Sequence, residues 1–77
     1  MKFDIEIDAG GLLCPLPVLR LQKMLRTMKQ GECVLLRATD PMAAIDIPSF
    51  CAIGVAELVD HQRSDGEDLY LVRKLEA

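Results

Sequence analysis

At 77 residues the chain can form one domain, expected over residues 1–77, around one modest core. Its net charge of -3, with Lys and Arg spread along the chain and with two Phe, one Tyr and no Trp, provides neither the polybasic run nor the stacking platforms of a nucleic-acid partner. Hydrophobic residues make up 51% of the chain, yet no apolar run approaches the roughly 20 residues of a membrane span, and acidic residues interrupt the N-terminus, so a soluble cytoplasmic protein with no membrane partner is expected.

Phe3, Ile5 and Ile7 alternate with Asp4, Glu6 and Asp8, which predicts a strand with one face on a core. Ala9-Gly10-Gly11 ends it. From Cys14-Pro15-Leu16-Pro17 to about Met28, the residues Val18, Leu21, Leu25 and Met28 recur at helical spacing and predict a helix closed near Gly31. Residues 32–38 form a short apolar run between turns, which predicts a strand buried on both faces or nearly so. Asp40-Pro41 predicts a helix start, with Asp40 as cap and Pro41 preset for the first helical position. Ile47, Cys51, Gly54 and Leu58 continue at helical spacing, and Pro48 is expected to kink or split that segment. Residues 57–63 and 68–73 read as two strands around Ser64-Asp65-Gly66-Glu67, a hairpin turn. The order βαβαββ implies a two-layer α/β sandwich, with both helices on one face of a mixed four-stranded sheet and the other face comparatively open.

The three cysteines, at 14, 33 and 51, are odd in number and widely spaced, which argues against a disulfide framework and offers no Cys-x-x-Cys pair for zinc. Cys14 stands out, because a Gly-Gly turn delivers it to a helix start and prolines follow it. Pro15 pushes Cys14 toward the extended backbone of an N-cap residue, and both Pro15 and Pro17 act as positioning residues. There the thiolate would sit at the positive end of a helix dipole, which lowers a thiol pKa from its ordinary value of about 8.5. Pro17 has no N–H, so the backbone N–H of Leu16 is the remaining donor, and a moderately acidic thiol is expected. The plainer alternative makes Cys14 a small packing residue and the prolines ordinary helix starters. Cys33 and Cys51 fit core packing, as do Met24 and Met28. His61 falls in a strand with no acidic partner nearby in sequence, at the surface or a sheet edge. No metal site is expected, and Gly10-Gly11 lacks the spacing of a phosphate loop.

Several stretches together resemble the TusA-type sulfur-carrier family, also called SirA-like. They are Asp8 and Gly11 ahead of Cys14-Pro15-Leu16-Pro17, the Gly31-Glu32 turn, Asp40-Pro41, and Asp46-Ile47-Pro48-Ser49-Phe50-Cys51. The resemblance implies a βαβαββ sandwich and a sulfurtransferase without a cofactor. In it the cysteine matching Cys14 receives sulfane sulfur as a persulfide from a cysteine desulfurase or rhodanese-like donor and relays it to an acceptor protein. The implied destinations are tRNA thiolation, molybdenum-cofactor enzymes and sulfur metabolism. Leu13 and Gly10 stand where many relatives carry polar, basic or bulkier residues, which implies a more apolar rim around Cys14. Arg20 and Lys23 are the nearest basic side chains in sequence and are expected to steer an acidic partner surface. Two other readings compete. One is a non-catalytic redox-sensing or adaptor module that uses Cys14 for reversible mixed disulfides. The other, by fold analogy alone, is an RNA-binding module, which the acidic balance disfavours.

Overall fold

Six elements follow the expected order: β1 (Ile5–Ala9), α1 (Leu16–Leu25), β2 (Cys33–Ala38), α2 (Ala43–Cys51), β3 (Ala56–Ser64) and β4 (Glu67–Lys74). They come from a computed structural model that describes residues 1–75, so Glu76 and Ala77 of the expected 1–77 span lie outside the described residues. β1 pairs parallel with β2, β2 antiparallel with β4, and β4 antiparallel with β3, giving the mixed sheet order β1-β2-β4-β3.

Alternation along the strands sorts the two faces. Ile5, Ile7 and Ala9 of β1, Val34, Leu36 and Ala38 of β2, and Tyr70 and Val72 of β4 share one face through the registers Ile7↔Leu36 and Leu36↔Tyr70. Leu21, Leu25 and Met28 from the first helical region and Ala43 and Ile47 from α2 join the same buried cluster, which makes the molecule a two-layer sandwich with both helices on one face. The opposite face carries no layer and is laced by Arg37, which bonds Glu6 and Glu67 at 2.7 Å each. Such half-exposed pairs contribute little, about 0.2–1 kcal/mol apiece.

Several boundaries differ from expectation for visible reasons. Phe3 is exposed and precedes β1; there Asp4 donates its N–H to the Cys33 carbonyl and accepts the Cys33 N–H on Oδ2, at 2.8 and 2.9 Å. α1 ends at Leu25, not Met28, because Lys74 reaches from β4 to the carbonyls of Leu25 and Met28 and satisfies helix-end acceptors with a cation. Pro48 does not split α2, which runs unbroken through it. The carbonyl left without a partner is that of Ala44, an exposed residue on the first turn, where water can serve it. At the hairpin, Asp65 and Gly66 have φ of 51° and 79°, the left-handed pair of a tight two-residue turn closed by Ser64 and Glu67. A bulge between Leu58 and Asp60 interrupts the edge strand β3.

His61 is on that edge strand, as expected, but it does have an acidic partner. Pairing of β3 with β4 brings its Nε2 to 3.0 Å from Asp68 Oδ1 and stacks its ring on Tyr70 at 4.3 Å. Sequence distance hid this contact, because it forms only when the hairpin closes.

Candidate functional site

Cys14 is exposed in the turn between β1 and α1. Because β1 and β2 are parallel and in register at Ala9↔Ala38, the turns that leave their C-terminal ends lie side by side. Three hydrogen bonds use that proximity. Gly11 donates its N–H to Thr39 Oγ1 at 2.9 Å, and its φ of 79° requires a residue without a side chain. Cys14 donates its N–H to Asp40 Oδ2 at 2.6 Å, while Asp40 Oδ1 accepts the Met42 N–H at 3.0 Å. One carboxylate thus ties the cysteine turn to the entry of α2. One helical turn beyond Met42 stands Asp46, the carboxylate with the largest influence on the Cys14 thiol.

These neighbours overturn the expected electrostatics. The Cys14 thiol has its pKa raised, chiefly by the Asp46 carboxylate, then by desolvation, with the negative charges of Asp46 and Asp40 adding to it. Each favours the neutral thiol over the thiolate. The dipole argument fails on position as well: Pro15, not Cys14, is the N-cap of α1, with φ -98° and ψ 17°. The Leu16 N–H expected to face the sulfur donates instead to the Leu13 carbonyl at 2.8 Å. Pro15 is exposed, Pro17 is buried at the second helical position, and the Cys14–Pro15 peptide is cis.

Around the thiol, large apolar side chains face solvent. Leu13 and Leu16 flank Cys14, Leu19 follows on α1, and Met42 and Ile45 stand on the segment that carries Asp46. Leu13, next to Cys14 in the chain, is 68% exposed, and Ile45, next to Asp46, is 60% exposed. Arg20 and Lys23 are exposed on α1 but line a separate groove over the β1 edge with Glu6, Asp8 and Thr27. They do not belong to the charged groups acting on the thiol.

Cys51 packs against the core, and its burial raises its thiol pKa. Cys33 departs from the core expectation: it is half-buried at the start of β2, on the uncovered face with Leu35, outside the main cluster. Among the described residues, no group of three or more His, Cys, Asp or Glu side chains is arranged to hold a metal ion.

The same span that builds this site also matches known proteins. A family model described as sulfurtransferase TusA fits residues 5–74, from the first residue of β1 to the last of β4. The chain belongs to the TusA family. Among TusA relatives, the sulfur carrier protein TusA of Pseudomonas syringae pv. syringae (strain B728a) is 44% identical over 74 residues, covering 96% of this chain and 88% of that protein. The sulfur carrier protein TusA of Pseudomonas fluorescens (strain SBW25) is 43% identical over 74 residues, covering 96% and 89%. In shape the chain is similar to the crystal structure of a SirA-like protein from Desulfitobacterium hafniense, with a TM-score of 0.82 over 95% of this chain and 100% of that one. At 21% identity this likeness shows a shared fold.

The TusA match gathers stretches that are far apart in sequence at one end of the sheet. The Asp8 side chain accepts the Gly10 N–H at 2.9 Å, Gly11 is anchored to Thr39, and Asp40 and Asp46 converge on Cys14. Sequence reasoning read Asp40 as a helix cap and as part of a motif, and Asp46 only as part of a motif. The parallel pairing of β1 with β2 is the signal that would have placed both beside the cysteine.

Proposed function

We propose that this TusA-family chain is a sulfur carrier that holds sulfane sulfur as a persulfide on Cys14 and passes it to an acceptor protein. The observation that carries this reading is the placement of Cys14, an exposed thiol on a turn anchored to Thr39 and Asp40 and flanked by exposed Leu13 and Leu16. A reactive sulfur set in an open apolar surface suits sulfur delivered by another protein better than a free metabolite, which would need an enclosing pocket. Cys14 attacks the outer sulfur of a persulfide on a cysteine desulfurase or rhodanese-like donor. A new S–S bond forms to Cys14, the donor's own S–S bond breaks, and the donor leaves as its thiol. Delivery repeats the exchange with an acceptor cysteine attacking the outer sulfur of the Cys14 persulfide. No metal or organic cofactor takes part.

Arg20 and Lys23 steer partners in this scheme, through the charged groove they line rather than at the sulfur itself. The destination among tRNA thiolation, molybdenum-cofactor and sulfur metabolism is selected by which acceptor docks on the rim. The redox-sensing alternative has less support, since sensor cysteines are low-pKa thiols and the Cys14 pKa is raised.

Intact mass spectrometry after incubation with a cysteine desulfurase and cysteine tests the reading. The protein should gain the mass of one sulfur atom, lose it to reductant, and fail to gain it as Cys14→Ser. No gain from several donors by a protein whose Cys14 still alkylates would contradict it.

A further inference from the structure

We infer that the outer edge of β1, together with the groove between it and α1, takes up an extended acidic segment of a partner protein as a fifth strand of the sheet. It rests on the steering role proposed for Arg20 and Lys23 and names the kind of segment they meet.

β1 has a neighbour on one side only, because the sheet order β1-β2-β4-β3 leaves it at an edge. The register identifies the backbone groups left over. One step beyond the Cys33↔Arg73 pair, the Lys74 N–H bonds the Glu32 carbonyl, so the even-numbered residues of β2 turn their backbone groups toward β4. Leu35 and Arg37 therefore turn theirs toward β1. In the parallel pairing Glu6↔Leu35 and Asp8↔Arg37, they bond Ile5, Ile7 and Ala9, and the N–H and C=O groups of Glu6 and Asp8 point away from the sheet. Among the described residues, no group outside the sheet bonds them. The opposite edge is a poorer template, since the bulge between Leu58 and Asp60 breaks the regular spacing of β3.

Side chains along this edge decide what can pair with it. On the helix side, Arg20 and Lys23 stand one turn apart on α1, exposed over the groove, and among the described residues neither has an ion-pair partner. On the open face, Glu6 and Asp8 project beside the same edge, with Glu6 already held by Arg37. An added strand alternates its side chains between the two faces. Every second residue meets Arg20 and Lys23 and is matched by Asp or Glu, while those between meet Glu6 and Asp8 and are matched by a basic or neutral residue. A second copy of this chain fits neither row. Two β1 edges side by side would set Glu6 and Asp8 against their own counterparts and leave Arg20 and Lys23 over Ile5 and Ile7. Backbone pairing supplies affinity without regard to sequence, and the two charged rows make it selective.

The probe is a capped synthetic peptide of about nine residues, an ordinary strand length, with Glu at every second position and Thr between, titrated into the whole isotope-labelled chain. Amide hydrogen exchange is the readout. In the free protein the Glu6 and Asp8 amides should exchange quickly, while Ile7, bonded to β2, is protected. With peptide at about ten times its Kd, exchange at Glu6 and Asp8 should slow about tenfold, because the unbound form is then about a tenth of the population. The N–H groups of the peptide alternate too, so N-methylation of one alternate set should abolish the protection and N-methylation of the other should preserve it. Lys in place of Glu in the peptide should abolish it as well.

A peptide that moves the Arg20 and Lys23 resonances without protecting Glu6 and Asp8, or that tolerates N-methylation of either set, would reduce the contact to ion pairing and overturn the inference. No protection at any soluble peptide concentration would overturn it too. So would protection that appears without peptide and grows with protein concentration, which would assign the edge to a second copy. The readout contains no sulfur, so failure here leaves persulfide formation on Cys14 intact, and failure to load Cys14 leaves this result standing.

Discussion

The Cys14 N–H and the Asp40 carboxylate meet at 2.6 Å, across 26 residues of sequence, while the same carboxylate holds the Met42 N–H at the entry to α2. One side chain thus serves both the local structure of α2 and the position of the reactive turn. Asp40, expected from the sequence to cap α2, stands two residues before its actual N-cap, Met42, so Asp40→Ala should lower the unfolding free energy by about 1–2 kcal/mol through the loss of two exposed side-chain hydrogen bonds. Asp40→Asn should cost less, since the amide keeps one acceptor. Urea denaturation of the three proteins measures the order.

The pH dependence of Cys14 follows from the carboxylates beside it. A raised thiol pKa means a smaller thiolate fraction at neutral pH, so the alkylation rate of Cys14 should rise through a midpoint above that of an unstructured cysteine peptide. A midpoint below the peptide value would restore the helix-dipole argument and contradict the arrangement of Asp46 and Asp40.

Much of the fold was legible because local chemistry sets it. Period-two alternation in β1, the apolar stripe Leu21, Leu25 and Met28, and the Asp65-Gly66 turn each report a local preference that the sheet then accepts. The prominence of Cys14 was legible too, from the Gly-Gly turn and the prolines. Its electrostatics were not. The carboxylates that decide them come from the other βα unit, and only parallel pairing of β1 with β2 brings that unit alongside. His61 and Asp68 were missed for a related reason, since strand pairing across the hairpin makes the contact. Pro48 misled because a helix-breaking residue is tolerated where the carbonyl it orphans belongs to an exposed first turn.

Tyr70 carries a testable cost in the core. Its hydroxyl is buried without a hydrogen-bond partner, and its pKa is pushed up to about 12, first by desolvation and then by the Asp68 charge, against a smaller opposing effect of Arg63. The fold holds the neutral phenol, so this contribution to stability is complete below the unfolded pKa of about 10 and is lost as pH rises from there to about 12. As the only Tyr in a chain without Trp, it can be titrated directly by ultraviolet absorbance. Tyr70→Phe should remove the alkaline loss and be neutral or stabilising by up to about 1 kcal/mol, because no hydrogen bond is given up.

In the proposed scheme, partner recognition divides between the rim and the groove. Leu13 is 68% exposed, so Leu13→Ser should leave the melting temperature nearly unchanged while raising the apparent KM for a donor protein. Reversing charge at both Arg20 and Lys23 should slow sulfur transfer about tenfold or more at low ionic strength, with the difference shrinking as salt is added. Transfer unchanged at every salt concentration would remove both residues from steering.

The central claim is that the transferred sulfur resides on Cys14, and locating it by peptide is the most direct test. Lys and Arg positions place Cys14, Cys33 and Cys51 in three different tryptic fragments, residues 3–20, 30–37 and 38–63. After loading from a cysteine desulfurase, alkylation and digestion, mass spectrometry should find the additional sulfur in fragment 3–20 alone. Additional sulfur in 30–37 or 38–63, or in none of the three, would contradict the account.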